Sequence, residues 1–60
     1  MRRDDIIRTL RLAFIGEKRG RVLVGNDQKE EAIVAVEQMD KENQDILIQE
    51  VMKGVPEEIR

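Results

Sequence analysis

The sequence predicts an all-α fold, a helical hairpin or three-helix unit that assembles into a homodimeric helical bundle. Two observations set the class: apolar residues recur three and four apart through two long stretches, and the glycines and the single proline stand at the edges of those stretches. A third sets the assembly. Sixty residues with 40% apolar side chains bury too little surface to fold firmly alone, and a domain this small is usually reinforced by disulfides, metals or association. The whole chain, 1–60, reads as one small helical domain.

From Asp4 onward, Ile6, Ile7, Leu10, Ala13 and Phe14 share one side of a helix and Arg8 and Arg11 take the other. The spacing predicts a helix over about 4–16, capped by Asp4 or Asp5 and stopped at Gly16. A connector follows over 17–26. Within it Val22, Leu23 and Val24 lie between Gly20 and Gly25, and residues 21–24 read equally as a short strand or as an extended link.

Asn26 or Asp27 opens the next element, because Asp27 and Glu30 have the spacing at which a cap side chain and a carboxylate three residues on satisfy each other's backbone donors. Helical character continues over about 27–53, until Gly54 stops it and Pro56 forbids continuation, leaving a short tail at 54–60. Ala32, Ile33, Val36 and Met39 form one apolar stripe, and Ile46, Leu47, Ile48, Val51 and Met52 another. Asp40 to Asp45 separates them with six polar residues. Either one helix runs through, or Asp40 or Asn43 caps a third. The lack of Gly and Pro in that interval and the favourable Glu37–Lys41 spacing favour one helix.

The side-chain inventory argues against catalysis. Without Cys or His the chain has no disulfide, no ordinary zinc site, and no imidazole or thiolate for haem or iron–sulfur ligation, so neither cofactor nor metal is expected. Ser, Tyr and Trp are also missing, and Thr9 is the only hydroxyl. The carboxylate pairs Asp4–Asp5, Glu30–Glu31 and Glu57–Glu58 are adjacent in sequence; on a helix such neighbours diverge by about 100° and form no acid/base dyad. The longest apolar run, Ala32 to Val36, is far short of the roughly 18 residues that cross a bilayer. Met1-Arg2-Arg3-Asp4-Asp5 does not read as the start of a signal peptide, so a cytoplasmic protein is expected.

Charge is divided unevenly. Residues 1–25 hold seven Lys or Arg against three Asp or Glu, a balance of plus four; residues 26–60 hold four against ten, a balance of minus six. The net charge of −2 favours a basic element lying against an acidic one, within the chain or across an interface, over a nucleic-acid partner. The expected function is therefore a non-catalytic homo-oligomeric interaction module, a small regulator or adaptor that also engages another protein and no membrane. Ile6, Leu10, Phe14, Ile33, Val36, Met39, Leu47 and Val51 are its candidate oligomer core.

The alternative rests on 21–52, where Arg21 to Val24, a capped helix with Ile33 and Val36 on its inner face, a polar turn at Lys41 to Asn43, and Asn43 to Met52 follow in order. This register resembles the ribbon-helix-helix DNA-binding proteins. The resemblance implies a transcriptional regulator whose paired strands enter the major groove, with Arg19, Arg21 and Leu23 as candidate readers; the basic 18–25 segment offers Lys18, Arg19 and Arg21 as candidate nucleic-acid contacts. The chain departs from that pattern in having no Gly in the inter-helix turn, a helix before the strand, and acidic helices.

Overall fold

In the computed structural model, which describes residues 1–60, helix α1 (Arg3–Arg19) outlasts its expected stop by three residues. The helix runs through Gly16 and ends at Gly20, whose left-handed backbone (φ 68°, ψ 31°) turns the chain so that its N–H donates to Glu17 O. The Arg21 N–H then donates to Gly16 O at 2.7 Å. Asp4 and Asp5 do not cap α1; Arg2 precedes it without a side-chain cap, and both acids lie in the first turn, where the helix dipole favours them. Lys18 and Arg19 complement the opposite end.

No strand forms at 21–24. The chain contains no second strand with which it could pair, and Val22 stands 89% exposed on the connector. Helix α2 (Asn26–Glu37) begins directly after Gly25 with no side-chain cap, so Asp27 falls inside the first turn and the Asp27–Glu30 reciprocal cap is not made.

The unbroken helix over 27–53 is also overturned. The chain turns at 38–40 and restarts as α3 (Lys41–Lys53), with the Asp40 carboxylate accepting from the Asn43 N–H at 2.9 Å. Gln44 reaches back from α3, its Nε2 donating to Val36 O at 2.9 Å, which also accepts from the Met39 N–H, and to Met39 O at 3.0 Å, and so ties the start of α3 to the turn. A cap contributes about 1 kcal/mol and a Glu–Lys pair four apart only about 0.3–0.5 kcal/mol, so the polar run supplies a better turn than a helix.

Helix α3 ends at Gly54, where Arg11 of α1 bonds two carbonyls of the last turn: its Nε donates to Val51 O at 3.1 Å, which also accepts from the Gly54 N–H, and its Nη2 to Glu50 O at 2.6 Å. A side chain at residue 54 would run into that guanidinium. Val55, beyond the helix, is 1% exposed, and a 3-10 turn over Glu57–Ile59 brings Arg60 back to donate to Val55 O.

The core joins Ile6 and Ile7 of α1, Ala32 of α2, and Leu47 and Val51 of α3, with Leu10, Ala35, Val36 and Met39 packed around them. Helices α2 and α3 each pack on α1 and diverge from one another beyond the 38–40 turn. The result is flat, 30 × 25 × 15 Å, with a radius of gyration of 11.1 Å against about 10 Å for a typical globular chain of this length. No helix is long and apolar enough to cross a membrane.

Candidate protein interaction face

Because α2 and α3 diverge over α1, they leave a trough of ≈ 370 Å³ between them. Its floor is α1, through Leu10, Ala13 and Phe14, and its walls are Ile33 from α2 and Ile48 and Met52 from α3. Val51 closes the bottom and connects the trough to the core. Helical spacing explains each placement: Leu10 and Phe14 are four apart on α1, as are Ile48 and Met52 on α3, so each pair presents one ridge. The walls are wet in the single chain, with Ile33 41% and Ile48 49% exposed. Glu17 and Lys29 stand at the rim, one from α1 and one from α2. Neither is ion-paired, since the two salt bridges of the structure are Arg8–Asp5 and Lys53–Glu50.

The eight candidate core residues divide between two environments. Ile6, Leu47 and Val51 are buried within the single chain, and Val36 and Met39 pack half-buried against them. Leu10, Phe14 and Ile33 are brought together in the trough. Ile48 and Met52 join them there although neither was among the candidates. Their signal was present in the second apolar stripe, where Leu47 and Val51 face the core and the residues immediately following each face the trough.

Lys18, Arg19 and Arg21 cluster where α1 ends, all exposed. The Lys18 ammonium lies over the Phe14 ring, 5.4 Å from its centroid, a cation–π placement that ties it to one end of the trough. Together with Arg19 it also sits in the last helical turn, where a cation is favoured whatever the surroundings. No three acidic side chains converge on a common point.

No protein-family model matches the chain, and neither a curated protein nor a solved structure matches it significantly.

Proposed function

We propose that this chain is a non-catalytic helical interaction module of the cytoplasm, a small regulator or adaptor that works as a homodimer. The observation that carries the reading is the distribution of large apolar side chains. Eight of them are exposed (Met1, Leu12, Val22, Leu23, Ile33, Val34, Ile46 and Ile48), whereas only six apolar residues are buried (Ile6, Ile7, Ala32, Leu47, Val51 and Val55). The surface area agrees. The chain exposes 4548 Å², where a compact monomer of its 7.0 kDa mass exposes about 4,000 Å². With no Cys or His to supply a cross-link or ordinary metal site, association is the remaining way to withdraw that surface from water. Homodimers with two-fold symmetry are the commonest such solution.

Sedimentation equilibrium tests this directly. At concentrations of about 10 µM and above a mass near 14 kDa, twice the 7.0 kDa of one chain, is expected. A mass that stays at one chain throughout that range removes the reading.

A further inference from the structure

We infer that the trough between α2 and α3 is the seat of a second copy of this chain, and that Glu17 of each copy faces Lys29 of the other. This rests on the homodimer reading and adds the surface, the partner face and the register. Apolar surface is the first support. The trough sets two of the exposed large apolar side chains, Ile33 and Ile48, around the half-buried Leu10, Phe14 and Met52, the kind of apolar centre that an interface between copies needs.

Charge is the second. A two-fold interface sets one patch against itself, so residue i meets j while j meets i, and only a patch carrying both signs is complementary to its own copy. The trough has such a rim: one acid and one base, Glu17 and Lys29, neither ion-paired within the chain. Lys18, held over the Phe14 ring, adds a second cation at one end, so the rim does not share the net acidity of −2 of the whole chain. The chain's own tail is committed elsewhere, with Val55 buried and Arg60 bonded back to it.

Geometry fixes the offset. A trough laid squarely on an identical trough would enclose a void, and close-packed interfaces do not keep one of that size. The α3 edge formed by Ile48 and Met52 is the more apolar wall, since α2 carries Lys29 one turn from Ile33. In the offset arrangement that edge of each copy enters the other's trough and reaches Leu10 and Phe14 on its floor.

Two sets of full-length variants test this by sedimentation, with circular dichroism confirming helical content. Ile33→Glu and Ile48→Lys should each raise the dimer dissociation constant by about tenfold or more, whereas Val22→Asp and Val34→Lys, exposed apolar positions outside the trough, should leave it within about twofold. The second set does not depend on altering apolar residues. Glu17→Lys and Lys29→Glu, both at exposed sites, should each weaken self-association, and an equimolar mixture should recover it as a heterodimer because one contact is then the native Glu17–Lys29 pair and the other is re-formed with its charges exchanged. Unchanged dimers in the trough variants, equal weakening by the Val22 or Val34 changes, or a mixture no stronger than its parents would overturn this interface while leaving a wild-type dimer intact. A monomeric wild type would instead remove the homodimer reading itself.

Discussion

At single positions, what matters most is where a side chain is missing. Gly16 lies inside α1, where replacing glycine by alanine ordinarily stabilises a helix by about 1 kcal/mol. Here the sign reverses, because a Cβ would lie 2.5 Å from the Arg21 carbonyl and 3.3 Å from Leu23 Cγ, and the first of these is backbone held by the Gly20 turn. Gly16→Ala is expected to lower stability by about 1–3 kcal/mol, the usual range for overpacking, read as a fall in the urea midpoint with unchanged slope. A rise in that midpoint would show that the 21–23 segment is free to move away. Sequence alone shows that a glycine stands at 16 and suggests a stop. The actual reason for it, the return of the chain across the helix after Gly20, depends on a turn four residues later. Arg11 is a similar case: its spacing marks it as solvent-facing, yet its guanidinium terminates α3 some 40 residues away through Glu50 and Val51.

Among the elements, the 38–40 turn is held by one side chain that acts in two directions. Gln44 belongs to the first turns of α3 but donates to Val36 O and Met39 O at the end of α2. Gln44→Glu keeps shape and helix propensity while replacing two donors by acceptors, so the carboxylate faces carbonyls it cannot bond. The favourable placement of an acid near the start of α3 offsets only about 0.3–1 kcal/mol of this. A net loss of about 1–2 kcal/mol is expected, with faster amide exchange concentrated at the end of α2. Uniformly faster exchange along all three helices would place the role of Gln44 elsewhere. The three apolar stripes and their approximate limits were legible because they follow helical periodicity. The division of α2 from α3 was legible only as an alternative: Asp40 had the residue type of a cap, but nothing local indicated that Gln44 would reach back to complete the turn. The burial of Val55 has no local signal for the same reason, since it lies beyond the last periodic residue and is covered by the tail folding back.

For the molecule as a whole, the proposed homodimer makes folding and association one equilibrium. A chain that is well folded alone melts at a temperature independent of its concentration; an obligate dimer does not, because dilution favours the separated, unfolded chains. Each tenfold dilution costs a dimer about 1.4 kcal/mol. Unfolding two such chains releases about 2.1 cal/mol/K per residue, so the melting midpoint should fall by about 5 °C for each tenfold dilution. Ile33→Glu, which places a charge on the α2 wall of the trough, should depress the midpoint at every concentration by about the same amount, because in a coupled equilibrium the variant and wild-type midpoints fall in parallel on dilution. Circular dichroism melts across a hundredfold range, about 1 to 100 µM, are sufficient to see this. Superimposable wild-type melts over that range would mean that the core around Ile6, Ala32, Leu47 and Val51, small as it is, holds the three helices together without a second copy.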